Sequence, residues 1–132
     1  MKKFAVKIDH IGLYVDDLEK SKEFFIQFFK AECHPMYHNP RTGLRTYFLS
    51  FDGTTRLELL NRPETRAASS MPYATGIDHI SISVGSREQV NELTQQLREA
   101  GYKVESEPRV TGDGYYESVV LGPSDCQIEI TE

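Results

Sequence analysis

The chain repeats itself. Ile8-Asp9-His10-Ile11 returns as Ile77-Asp78-His79-Ile80, sixty-nine residues later. Each copy closes on an apolar–Glu–apolar strand, Leu57-Glu58-Leu59 in the first and Ile128-Glu129-Ile130 in the second. Aligning His10 with His79 over the eight-residue opening strand gives five identities, and the glutamates align at an offset of seventy-one. Only two residues of net insertion separate the copies, so the chain has to fold as two modules of one plan. Two histidines and two glutamates then fall at matching places.

Periodicity supplies the plan. Residues 4–15 alternate, with Ile11, Leu13 and Val15 on one face and His10, Gly12 and Tyr14 on the other, as in a half-buried strand. Asp16-Asp17 caps a helix carrying Leu18, Phe24, Phe25, Phe28 and Phe29 at roughly helical spacing. Pro35 and His38–Gly43 read as turns. Strands at about 44–51 and 54–60 follow, joined at Asp52-Gly53. The second copy predicts a strand over 77–84 and a helix over 86–100 stopped by Gly101. Strands near 103–106, 115–121 and 127–131 complete it. Each half reads strand, helix, strand, strand, strand. The expected organisation is one domain of two βαβββ modules, 4–61 and 76–132, with 62–75 as the linker.

Composition excludes several roles. A net charge of −5 and pI near 5.4 leave no basic face for nucleic acid. No apolar run approaches the roughly 20 residues of a membrane span. Met1-Lys2-Lys3 is basic but leads into a short alternating strand, not the apolar core of a signal peptide. Cys33 and Cys126 do not make a disulfide framework, so a reducing cytoplasm is the expected setting.

The chemistry lies in four residues. A carboxylate in the middle of an otherwise apolar strand costs several kcal/mol unless it is partnered. In all four strands the apolar side chains take one face and the ionisable group the other. One divalent metal ligated by His10, Glu58, His79 and Glu129 would satisfy every group. It would also keep one or two coordination positions open, as catalytic sites do.

Paired βαβββ units with a ligand on the first and last strand of each resemble the vicinal oxygen chelate superfamily, over residues 5–131. That superfamily includes glyoxalase I, extradiol dioxygenases, fosfomycin-resistance proteins and methylmalonyl-CoA epimerase. The His…Glu…His…Glu order and short length are most similar to bacterial glyoxalase I. The resemblance implies an α+β fold in which the two modules form a curved mixed sheet around a metal-binding cavity. It also implies a small-molecule substrate, the thiol adduct of a 2-oxoaldehyde. Removal of a proton beside the carbonyl would leave an enediolate whose charge a divalent cation stabilises. Glu129 would act as the base with Glu58 its counterpart, nickel or cobalt would be favoured with zinc possible, and the protein would be a homodimer. Fosfomycin-type transferases use His, His and Glu only. Epimerases of the superfamily tend to carry Gln where Glu58 stands, and drug-binding members of the bleomycin-resistance type lack the ligands.

Departures leave the thiol open. Tyr14 stands where glyoxalase I typically has a glutathione-gripping arginine, and Arg62 where it has an asparagine, with Asn61 one position earlier. The segment 107–116, with Arg109 as an anion fork and Tyr115 for aromatic contact, is a candidate lid or a surface turn leading into a strand. Tyr14, Asn61, Arg62, Arg109 and Tyr115 are therefore the candidate substrate contacts. His34 and His38 are expected to be loop histidines, and Cys126 a packing residue.

Overall fold

The computed structural model describes residues 4–68 and 71–132, so Met1-Lys2-Lys3 and the linker positions Ser69 and Ser70 lie outside the described residues. Contacts divide the chain into two compact units, Met1–Ala67 and Ala68–Glu132. Unit one runs β1 (His10–Tyr14), α1 (Leu18–Phe29), β2 (Glu32–Cys33), β3 (Tyr37–His38), β4 (Arg45–Ser50) and β5 (Arg56–Asn61). Its sheet has the order β1-β5-β4-β2, with β3 also pairing with β4. Unit two runs β6 (His79–Ser83), α2 (Arg87–Glu99), β7 (Val104–Val110), β8 (Tyr116–Leu121), a short helical turn at Pro123–Asp125, and β9 (Gln127–Thr131). Its sheet has the order β6-β9-β8-β7. Both sheets are mixed and both units carry one helix, an α+β architecture. Among the described residues, no helix is long and apolar enough to cross a membrane.

In each unit the first strand lies parallel to the last, β1 on β5 and β6 on β9. Parallel neighbours need a long crossover, and the helix and intervening strands supply it. Asp17 caps α1 by accepting from the Lys20 amide at 3.0 Å, and Ser86 caps α2 by accepting from the Gln89 amide at 3.1 Å. Gly101, at φ +94°, ends α2. Its amide donates to the Arg98 carbonyl and the Tyr102 amide to the Leu97 carbonyl, each at 3.0 Å, the paired bonds of a Schellman closure.

The core of unit one joins Leu18, Phe24, Phe25 and Phe29 of α1 to Leu49, Leu57 and Leu59 of the sheet. Unit two buries Val90 and Leu97 of α2 against Val120, Ile128 and Ile130. It also buries a hydroxyl pair, Thr94 and Ser118, 2.7 Å apart. The leucines and isoleucines flanking Glu58 and Glu129 are thus core, which forces both glutamates onto the opposite sheet face.

Three expectations are corrected. The first ladder begins at His10, while Phe4, Val6 and Ile8 lie upstream of it and are exposed. A short strand, β3, takes His38 out of the turn expected at His38–Gly43, so His38 is a strand residue and not a loop histidine. Pro35 lacks an amide donor, so the edge strand on β4 is split into β2 and β3. The strand expected at 103–106 runs on to Val110, taking Glu107–Val110 out of the expected loop. It tolerates Pro108 because β7 is an edge strand whose register shifts between Ser106 and Arg109. The described part of 62–75 contains no helix or strand.

Leu59 is wholly buried between β4 and α1. Leu59→Ala is expected to lower unfolding stability by about 2–5 kcal/mol; a change under 1 kcal/mol in urea titration would contradict the packing described.

Candidate functional site

In unit one, Gly12 lies opposite Glu58 on the parallel β1–β5 ladder, with His10 two residues upstream. The glutamate reaches back along the ladder and places Oε1 3.7 Å from His10 Nε2. A side chain at Gly12 would crowd this route, since a Cβ there would sit 3.1 Å from Leu60 Cδ1 and 3.7 Å from Glu58 Oε1. The other imidazole nitrogen is already engaged. His10 Nδ1 donates to Asp9 Oδ2 at 2.8 Å, and Arg56 Nη2 donates to the same oxygen at 2.8 Å. The His10 hydrogen bond, then Arg56, hold the Asp9 carboxyl below the usual carboxylate range. Because a carboxylate can only accept, Nδ1 carries the hydrogen of this contact, and Nε2 is the nitrogen turned towards Glu58. The Phe48 ring meets the His10 ring edge-on at 5.0 Å, and the Arg56 guanidinium lies over Phe48 at 4.4 Å.

Unit two repeats this geometry with different neighbours. Ser81 lies opposite Glu129, again two residues beyond the histidine. His79 Nε2 is 3.1 Å from Glu129 Oε2, and Asp78 Oδ2 accepts from His79 Nδ1 at 2.8 Å. The Asp78 hydrogen bond raises the His79 pKa above the ordinary imidazole value, and the Glu129 charge adds in the same sense. Sequence reasoning did not find Asp9 or Asp78 as functional residues. The signal was present, because the Asp-His dipeptide is itself repeated.

Glu117 was also missed. Glu129 faces Val119 as Glu58 faces Phe48, so Glu117 is the counterpart of Thr46. It is 7% exposed and its Oε2 has no hydrogen-bond partner. Burial, and then the Glu129 carboxylate beside it, push its pKa up.

The candidate substrate contacts scatter. Tyr14 lies on the His10 face of β1 and is half exposed. Arg109 is Glu117's cross-strand partner, and its Nη1 donates to the Glu117 carbonyl at 3.3 Å. Tyr115 is exposed in the turn between β7 and β8. Asn61 is on the strand face opposite Glu58, where its Nδ2 donates to the Val15 carbonyl at 2.7 Å and so ties β5 to the β1–α1 connection. Arg62 is half-buried beyond the end of β5, 3.9 Å from Glu64 Oε1, and its buried Nε has no hydrogen-bond partner. Of the Arg45–Phe48 strand, Thr46 and Phe48 share the Glu58 face, while Tyr47 turns inward and donates to Glu19 Oε1 at 2.6 Å. His34 and His38 are exposed, His34 Nε2 lying 2.7 Å from Ser50 Oγ. Burial pushes the Cys126 thiol up to about 11, which removes it as a nucleophile.

Each unit thus offers one imidazole nitrogen and one carboxylate to a cation. Among the described residues, no three His, Cys, Asp or Glu side chains lie close enough to hold an ion by themselves. The donors fit a divalent metal. Each free imidazole nitrogen faces a carboxylate, and each ring is fixed by a carboxylate behind it, the arrangement that orients histidine ligands.

Residues 7–130 match the family model of the Glyoxalase/Bleomycin resistance protein/Dioxygenase superfamily. The chain belongs to this superfamily. It is similar to the uncharacterised YwkD protein of Bacillus subtilis (strain 168), 30% identical over 76% of this chain and 75% of that protein. It is also similar to the mitochondrial methylmalonyl-CoA epimerase of Bos taurus, 27% identical over 91% of this chain and 69% of the epimerase. Among solved structures, the glyoxalase I of Leishmania major aligns with a TM-score of 0.78 at 20% identity, over 97% of this chain and 87% of that one. Members of this superfamily typically bind a divalent metal.

Asp9→Asn and Asp78→Asn are each expected to weaken divalent-metal affinity by about 10–100-fold, the usual effect of removing a carboxylate behind a histidine ligand. Unchanged affinity in both, measured by calorimetry, would show that they do not set the ligands. Asn61→Ala is expected to cost about 1–2 kcal/mol of stability through the lost Val15 bond and to leave metal affinity as it was.

Proposed function

We propose that this protein is a metal-dependent, glyoxalase I-like lyase that converts a 2-oxoaldehyde–thiol hemithioacetal into a 2-hydroxyacyl thioester, in the manner of methylglyoxal detoxification. The observation that carries the reading is the duplicated Asp–His–Glu unit, in which each imidazole is fixed at Nδ1 and faces a carboxylate at Nε2. His10, Glu58, His79 and Glu129 would hold one divalent ion, with nickel or cobalt favoured and zinc possible. The chain would work as a homodimer in a reducing cytoplasm, and either two halves of one chain or halves of two copies would supply the four ligands.

A bound divalent ion would supply Lewis-acid stabilisation for the negative charge that builds on two substrate oxygens. The chain's own part is proton transfer. Glu129 takes the proton from the carbon beside the carbonyl and returns it to the adjacent carbon, while Glu58 holds the matching position in unit one. Asp9 and Asp78 keep both imidazoles in the tautomer that exposes Nε2. Tyr14, Arg62, Arg109 and Tyr115 are the proposed contacts for the remainder of the substrate.

The bovine relative favours a second reading. An epimerase of a CoA thioester also moves a proton on the carbon next to a carbonyl, so the same carboxylates would serve it.

Thioester formation by nickel-reconstituted protein on the methylglyoxal–glutathione hemithioacetal is expected, with a loss of at least about 100-fold in Glu129→Gln. No turnover, together with solvent deuterium entering an acyl-CoA beside its carbonyl, would replace the lyase reading with the epimerase one. A mass of one chain in light scattering would overturn the dimer.

A further inference from the structure

The two units differ in charge at the position two residues before each glutamate's strand neighbour. Where unit one has Thr46, unit two has Glu117, both buried and both two residues before the strand neighbour of the unit's glutamate. Thr46 brings a neutral hydroxyl. Glu117 brings a carboxylate into a site that already holds Glu129.

That is costly as it stands. Glu117 is more than nine-tenths buried, and Oε2 has no hydrogen-bond donor. Arg109, across the strand pair, directs Nη1 to the Glu117 carbonyl oxygen instead of its carboxylate. The Arg109 charge still offsets part of this cost, and Asp113 adds a smaller negative contribution. Like charges held together out of water destabilise a fold unless a proton or a cation is shared between them. Unit two is therefore the more strongly cation-seeking of the two.

We propose that Glu117 is an acidic element of the cation site that no four-ligand scheme includes. It lies beside Glu129, adds its negative charge to that carboxylate's, and makes unit two the half that captures a divalent ion first. The inference rests on the cation reading given above. Glu117 acts through its neighbour: it adds negative field beside Glu129, and His79 and Glu129 make the direct contacts. Unit one, with Thr46 in place of a carboxylate and with Arg56 close to its histidine, attracts a cation less strongly.

The test uses the full chain stripped of metal. Mn²⁺ and Ni²⁺ are titrated calorimetrically into wild type, Glu117→Gln, Glu117→Thr, His10→Ala and His79→Ala, and thermal unfolding is recorded with and without metal. Glu117→Gln and Glu117→Thr are expected to bind about tenfold more weakly and to melt higher than wild type when metal-free. The stabilisation gained on adding metal shrinks accordingly. His79→Ala loses more affinity than His10→Ala. Wild-type affinity in both Glu117 variants would overturn this inference while leaving the cation reading intact. A lower metal-free melting temperature in both would assign Glu117 to the fold. Failure of wild type to bind either ion would overturn the cation reading itself.

Discussion

The parallel pairing of first strand with last is the constraint on which each unit depends. It brings together residues forty-eight and fifty positions apart in the chain, His10 with Glu58 and His79 with Glu129. It also sets the same two-residue stagger in both, so the carboxylate reaches diagonally across the ladder to the imidazole. Flanking leucines and isoleucines lock the register, because a slip of one residue would drive the glutamate into the core and the core residues into water. A small residue opposite each glutamate, Gly12 or Ser81, leaves the path clear.

Upon that shared frame the units are furnished differently. In unit one the histidine is walled by Phe48, and Arg56 both stacks on that ring and shares Asp9. The surroundings are aromatic and cationic. In unit two Gln127 replaces Arg56 in the register, Val119 replaces Phe48, and Glu117 is added. The surroundings are aliphatic and anionic. Near-identical ligand pairs thus sit among different charges, Arg56 in one unit and Glu117 in the other, which separates two glutamates that the repeat alone makes equivalent.

Much of this was legible in the sequence because it rests on parity. Alternation assigned His10, Glu58, His79 and Glu129 to the non-core face, and Asp17, Ser86 and Gly101 marked helix ends through local hydrogen bonding that needs no tertiary context. What failed to show depended on neighbours distant in the chain. Asn61 looks like a site residue beside Arg62, yet parity turns it to the helix side, where it ties β5 to the β1–α1 connection. Pro108 reads as a loop breaker and is one only in a strand paired on both sides; on an edge, the shifted register absorbs it. Glu117 sits in Tyr116-Glu117-Ser118, where nothing alternates, so its burial comes entirely from the sheet around it. Asp9 and Asp78 were visible and undervalued. Their role appears once both ring nitrogens of each histidine are accounted for.

The adjacency of aspartate and histidine has a consequence for how such a site comes into being. Most residues that orient a ligand arrive from elsewhere in the chain, so their alignment waits on the whole fold. Here the orienting group is the ligand's own neighbour, one peptide bond away, and each imidazole can find its tautomer within a single extended strand. The contact that orients the ring is local in sequence, whereas the contact with the glutamate spans the whole unit. Each Asp-His pair is in that sense a preset two-residue cassette at the head of its strand, which in unit one the sheet reinforces through Arg56.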